Sequence, residues 1–319
     1  MALSGDMSRF DGFERIQANY KIIQDHAVRA DVLIPKSLDK SAGKRPVLLR
    51  WHGGFLIASG SMFPDFLPLW LLEYALSHSA VFVNANYRLL PESTGAEVLS
   101  DMEDLLAWIE SDLPILLAAH NVQIDLSRLL VAGESAGGYL SVQSGLSRPD
   151  LVKAVIALYP MLDFDPSVYI TKGRKPILGN PEYPTSWVED HIKNMPLNAD
   201  GRPKPISDDD PPTRVQLAIA SAQQGRIPDF LGTSEKLFPM KRVLKEPFTP
   251  VLLIIHGEDD SAVPVEGSRK FVQLLGNSQP DTRVSLWTQP GEHGFDVSTT
   301  LEDTWLRDGL RPVTEAWLR

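Results

Sequence analysis

A serine set among small residues, Gly133-Glu134-Ser135-Ala136-Gly137-Gly138, follows directly on the apolar run Leu129-Leu130-Val131-Ala132. A serine carried on a sharp strand-to-helix turn, with glycines two residues to either side so that neither flank clashes, presents its hydroxyl outward as a nucleophile. A hydroxyl is a weak nucleophile at neutral pH, so it needs a base within hydrogen-bond reach and a third group to orient that base. Both types stand downstream, each after an apolar run. His256-Gly257-Glu258-Asp259-Asp260 follows 251–255 and supplies three carboxylates, and Gly291-Glu292-His293-Gly294-Phe295 follows 284–287 and supplies an imidazole between small residues. His293 is the expected general base, because an unperturbed imidazole titrates near pH ~6.5 and can take and return a proton at working pH. His256 ends a strand and precedes the acidic turn, so shaping that loop is its expected role.

Negative charge developing on a carbonyl oxygen under attack needs donors already in place. Ala136, next after the serine, offers one backbone N–H. The peptide His52-Gly53-Gly54-Phe55 follows the apolar run 47–51, where Gly53 and Gly54 bring bare amides close to the same oxygen.

These groups are brought together only if the runs before them are neighbouring strands. Short apolar runs at 28–34, 47–51, 81–83, 129–132, 154–158, 251–255 and 284–287 read as strands. Helices are expected at 63–76, at 98–113, where Val98, Met102, Leu105, Ile109 and Leu113 recur at steps of three and four, at 135–146 and at 268–275. Continuous apolar strands alternating with helices specify an α/β class, a mostly parallel doubly wound sheet with helices on both faces. Functional groups on such a sheet gather at the strands' carboxyl ends. The rhythm breaks at 165–247, rich in proline and charge, with a helix expected at 214–224. A connection this long between core strands reads as an inserted helical lid that selects substrate. The expected organisation is a core of 1–164 and 248–319, the lid at 165–247, and residues 1–25 contributing to the cap.

Length supports this, since 319 residues fill an α/β core with an insertion. Hydrophobic content of 43% and charged content of 23% sit close to globular averages, so neither disorder nor membrane residence is implied. A net charge of −10 without a basic stripe argues against nucleic acid or an anionic membrane as partner. Without cysteine there are no disulfides, thiolate chemistry or cysteine-held metals. No stretch approaches the roughly 20 apolar residues of a membrane span, and the charged amino terminus lacks a secretory core, so cytoplasmic residence is the expectation, with Met1 read as the natural start. Ser207-Asp208-Asp209-Asp210 lacks the alternating ligands and glycine of a calcium loop and reads as a solvated acidic turn. His26, His78, His120 and His191 show no ligand spacing, and neither metal nor cofactor is expected.

Together with Asn86-Tyr87-Arg88-Leu89-Leu90-Pro91-Glu92, these motifs make the chain similar to the hormone-sensitive-lipase-like branch of the α/β-hydrolases, from about residue 28 onward, with the lid least covered. The order Ser, Asp, His matches that superfamily. The resemblance implies the α/β-hydrolase fold and Asp260, rather than Asp259 or Glu258, as the triad acid. It implies an oxyanion hole at Gly53, Gly54 and Ala136, a Tyr-Arg-Leu segment that braces the loops with Arg88 paired to Glu134, and a homodimer. The implied activity is hydrolysis of a small-molecule carboxylic ester through an acyl-enzyme. Phe55 stands where the family commonly has a third glycine, which implies a reshaped acyl pocket. Phe55, Glu134, Tyr159, Trp187 and Phe230 are the pocket candidates, the last two from the lid, while Phe63, Phe66, Trp70 and Phe238 read as core. Likeness to fungal hydrolases of secondary metabolism makes an acyltransferase, thioesterase or lactonase the alternative. A non-catalytic receptor, as the plant gibberellin receptors are, would lack the triad histidine, which is present here.

Overall fold

The computed structural model describes residues 5–165, 167–170 and 175–319. Eight strands, β1 (Phe13–Ile23), β2 (His26–Pro35), β3 (Arg45–Trp51), β4 (Val81–Ala85), β5 (Ile124–Glu134), β6 (Val152–Leu158), β7 (Val251–Gly257) and β8 (Val284–Gln289), form one sheet in the order β1-β2-β4-β3-β5-β6-β7-β8. β2 is antiparallel to both β1 and β4, and from β4 to β8 every neighbouring pair is parallel.

Alternate residues of each central strand feed two apolar layers. Val47, Leu49 and Trp51 of β3 and Leu129 and Val131 of β5 point to one face, Leu48, Leu130 and Ala132 to the other. The first face is covered by α2 (Gly95–Ser111) and α4 (Ala136–Ser147), through Val98, Met102, Leu105, Tyr139 and Leu140, and by a helix near the carboxyl end. The second is covered by α1 (Leu69–Ser77), through Trp70, Leu71 and Leu72, and by the terminal helix. Continuous apolar strands are therefore what two covered faces require.

Helix starts follow local chemistry. α1 begins only at Leu69 because Pro68, in an extended conformation, closes its amino end, so the expected helix at 63–76 is shortened. α2 starts at a reciprocal cap, in which Thr94 Oγ1 accepts from Glu97 N and Glu97 Oε2 accepts from Thr94 N. It is followed by the short α3 (Leu113–Ala118), which carries Pro114 in its first turn.

Between β6 and β7 the described residues hold short helices and no strand of the sheet: α5 (Ser167–Ile170), α6 (Ser186–Asn194), α7 (Val215–Gln223), α8 (Ile227–Leu231) and α9 (Pro239–Arg242). After β7 come α10 (Val265–Ser278), which packs Phe271 and Leu275 on the first face, and α11 (Thr304–Leu318), which packs Leu306, Leu310, Val313 and Trp317 on the second.

Residues 13–23, expected to contribute to the cap, instead run as edge strand β1 against β2. An edge strand needs few anchors, and here Phe13 and Tyr20 are buried while Arg15, Gln17 and Asn19 remain exposed.

Cross-strand register decides where chemistry can gather. Trp51 lies beside Gly133, Glu134 beside Leu158, Leu158 beside Ile255 and Gly257 beside Gln289. The carboxyl ends of β3, β5, β6, β7 and β8 thus share one edge of the sheet, and the loops leaving that edge carry His52, Ser135, Tyr159, Asp260 and His293.

Candidate active site

β5 ends at Glu134 and α4 begins at Ala136, so Ser135 alone makes the reversal, with φ +57° and ψ −116°. Left-handed backbone at a residue with a Cβ costs about 1–3 kcal/mol and persists only where the surroundings hold it. Here Ser135 N donates to Leu158 O at 2.8 Å, and Ser135 O accepts from Tyr139 N and Met161 N, each at 3.1 Å. The turn also needs close backbone approach. A Cβ on Gly133 would sit 2.4 Å from Gly137 O, and one on Gly137 only 2.0 Å from Trp51 O.

The expected base and acid, His293 and Asp260, stand on the loops after the two strands beyond β6. His293 Nδ1 lies 2.7 Å from Asp260 Oδ2, and Asp260 Oδ1 accepts from Ala262 N at 2.9 Å and Val263 N at 2.7 Å. Burial pushes the Asp260 carboxyl up, but the charge of His293 and the hydrogen bonds from His256 and His293 outweigh it and hold the group well below the usual range. An anionic Asp260 accepts a hydrogen bond from Nδ1–H of His293, which leaves Nε2 as the imidazole's basic nitrogen. Of the neighbouring acids, Asp259 accepts from Gly291 N at 3.2 Å and Glu258 from Thr288 Oγ1 at 2.9 Å, and Asp260 is the one turned to the histidine. His256 is fully buried, with Nδ1 2.8 Å from Ser268 Oγ and Nε2 2.8 Å from Val263 O and 3.3 Å from Asp260 Oδ2, so it ties the acid loop to α10.

The glycine turn after β3 lies against Ser135: a Cβ on Gly53 would be 3.3 Å from Ser135 Cβ. Its first amide is already engaged, however. Gly53 N donates to Glu134 Oε1 at 2.9 Å, which removes Gly53 from the expected oxyanion donors and leaves Gly54 and Ala136. His52 stacks on Tyr87 with ring centroids 4.3 Å apart, and burial lowers it to about 3, so the ring is a neutral brace for the turn.

Glu134, expected in the substrate pocket, instead lies beneath the turn. It is buried and bound by Arg50, whose Nε lies 3.0 Å from Oε2 and whose other nitrogen holds Oε1. Arg50 also donates to Ser61 O and Asn84 Oδ1, both at 2.9 Å. Burial raises the Glu134 carboxyl and outweighs the lowering by Arg50 and the Gly53 amide. Arg88, expected to pair with Glu134, pairs with Asp101 and Glu97 of α2 instead. Arg50 stands inside the apolar run of β3, and only register across the sheet reveals its partner.

The other pocket candidates divide. Phe55 is buried in the glycine turn. Tyr159 is 2% exposed, and its ring meets that of His293 edge to face at 4.6 Å while its hydroxyl interacts with the buried Asp296. It therefore backs the imidazole. Trp187 on α6 is 42% exposed and stacked on Tyr183, and Phe230 on α8 is half-buried beneath the Arg226 guanidinium. The acidic run is not the solvated turn expected: Asp209 is buried and accepts from Ser59 N, Thr213 N and Arg214 N. A groove of about 620 Å³ lined by Gln24, His26, Leu197 and Lys204 contains none of the triad candidates.

Among the described residues no cluster of His, Asp and Glu could hold a metal ion, and no helix is long and apolar enough to cross a membrane.

A family model for the alpha/beta hydrolase fold matches residues 48–199. The probable carboxylesterase M8 of Phoma sp. is 34% identical over 317 residues, spanning 97% of this chain and 98% of that protein. This chain belongs to the α/β-hydrolase family. As a carboxylesterase-like α/β-hydrolase it is also similar, at 23% identity, to a stretch of the non-reducing polyketide synthase Preu6 of Preussia isomera, a match covering 97% of this chain and 15% of the synthase. Among solved structures the hydrolase resembles Thermogutta terrifontis esterase 2, seen phosphoramylated by tabun, with a TM-score of 0.58 and 17% identity over 96% of this chain and 94% of that one. That likeness is one of fold.

Proposed function

We propose that this α/β-hydrolase cleaves carboxylic esters through an acyl-enzyme on Ser135. The observation that carries the reading is the 2.7 Å bond between His293 Nδ1 and the buried Asp260, on the loops that leave the same sheet edge as the serine. In this reading His293 Nε2 takes the hydroxyl proton as Ser135 Oγ attacks the ester carbonyl, and Asp260, still ionised, stabilises the imidazolium. The amides of Gly54 and Ala136 receive the oxyanion, and each such donor is worth on the order of 100-fold in turnover. The imidazolium then protonates the departing alkoxide. Water, deprotonated by the same histidine, releases the acid. Turnover of p-nitrophenyl butyrate by the wild type, with Ser135→Ala as control, tests this: a wild type no faster than the variant refutes it.

A second reading is favoured by the match to a domain-length stretch of a polyketide synthase. Here the acyl group comes from a thioester or lactone of a polyketide intermediate, and an alcohol or thiol competes with water for the acyl-enzyme. Partitioning of a p-nitrophenyl ester between hydrolysis and transfer to added alcohol separates the two.

A further inference from the structure

The turn that carries Gly54 is itself strained. Phe55 and Leu56 have φ of +57° and +64°, and Ser59 has φ of +79°, all in the left-handed region that disfavours side chains. Within the turn, Ile57 N and Ala58 N both donate to Gly54 O at 2.9 Å. Outside it, three supports fix the chain. Leu90 N donates to Leu56 O at 2.8 Å. Arg214 Nε donates to Ile57 O at 2.8 Å, and Asp209 exchanges hydrogen bonds with the backbone of Ser59. Two of these three supports come from the inserted segment.

Arg214 is the more demanding of them. It is buried, stands directly before α7, and donates to Glu92 Oε1 at 2.9 Å, Glu92 Oε2 at 2.6 Å and Leu90 O at 2.8 Å besides Ile57 O. One planar guanidinium therefore joins the oxyanion turn, the Leu90–Glu92 stretch and the insertion. No ammonium group can cover the same set of acceptors. His191 of α6 adds a second tie from the insertion, with Nε2 2.8 Å from Glu92 Oε1.

We propose that Arg214 is a positioning residue for the oxyanion turn, through which the inserted segment sets the rate of the chemical step without touching substrate. The inference rests on the ester-hydrolase reading of the site. Because an oxyanion forms only in the transition state, a misplaced turn lowers kcat and leaves KM nearly unchanged.

The test is steady-state hydrolysis of p-nitrophenyl butyrate by the full chain. Arg214→Lys keeps a cation beside Glu92 but gives up Ile57 O and Leu90 O. Its kcat is expected to fall on the order of 10- to 100-fold with KM close to wild type. Arg214→Ala, if it folds, regains turnover with millimolar guanidinium. Arg202→Ala, an exposed change elsewhere in the insertion, keeps wild-type kcat. Wild-type kcat in Arg214→Lys, a loss residing in KM, or an equal loss in Arg202→Ala overturns the proposal. A wild type that neither turns over the ester nor takes an organophosphonate on Ser135 overturns the ester-hydrolase reading itself, and the positioning role with it.

Discussion

Glu134 Oε1 accepts the backbone N–H of Gly53 at 2.9 Å, so the residue preceding Ser135 also holds the neighbouring glycine turn. Its carboxylate is in turn held by Arg50, which is fully buried. Removing one partner of such a pair strands the other charge, at a cost of about 3–5 kcal/mol. Glu134→Ala is therefore expected to lower unfolding free energy by that order in urea titrations. Glu134→Gln, which keeps an oxygen for Gly53 N, lies between it and the wild type. Equal stability of Glu134→Ala and wild type would show that the pair does not hold the turn.

Asp260 and Asp259 are adjacent in the chain but face different ways, one toward His293 Nδ1 and the other toward Gly291 N. Asp260→Asn offers the imidazole an amide in place of an anion and favours the wrong tautomer, so kcat is expected to fall on the order of 10,000-fold near pH 7. Asp259→Asn keeps activity close to wild type. Measured kcat for the two variants decides between the acids, and the reverse ranking would reassign the triad.

Glu92 makes the clamp of the insertion sensitive to acid. Burial alone would raise its pKa, but hydrogen bonds from His191 and Arg214 and the charge of Arg214 outweigh burial and lower it from 4.5 to about 2. A depressed carboxylate contributes stability above its unfolded pKa, and that contribution disappears as pH falls through the folded value. The window for Glu92 runs from about pH 4.5 down to about 2 and represents about 3 kcal/mol. Urea unfolding at a series of pH values should show the wild type losing more stability across this window than Glu92→Gln. Parallel curves would remove Glu92 from the acid response.

Much of this arrangement was legible in the chain because local signals and tertiary structure agree. The strands β2 to β8, the elbow at Ser135 and the order of Ser135, Asp260 and His293 all follow from apolar runs ending in turns. What escaped is what depends on register. Arg50 lies within an apolar run, and its partner Glu134 is 84 positions away on the adjacent strand β5. Arg88 pairs not with Glu134 but with Glu97 and Asp101, which stand four residues apart on one face of α2 and are a local pair the sequence itself offers. α11 also carried a readable stripe, Leu306, Leu310, Val313 and Trp317, at steps of four, three and four. The acidic run misled for the opposite reason: a sequence of aspartates looks solvated until backbone amides of another loop satisfy one of them, as Ser59 N does for Asp209.

Tyr159 separates a brace from a pocket wall. Its ring meets that of His293 edge to face at 4.6 Å, and its hydroxyl and Trp70 Nε1 both serve Asp296, whose pKa burial raises against those hydrogen bonds. Tyr159→Phe keeps the ring and deprives a buried carboxyl group of one partner, so stability is expected to drop by about 1–3 kcal/mol, read in urea. Tyr159→Leu removes the ring behind the imidazole, so kcat is expected to fall further than in Tyr159→Phe, across short and long acyl esters alike. A wall of the acyl pocket would behave differently, shifting KM in a way that depends on acyl length. Kinetics on a graded series of p-nitrophenyl esters would reveal that pattern, and finding it would return Tyr159 to the substrate pocket.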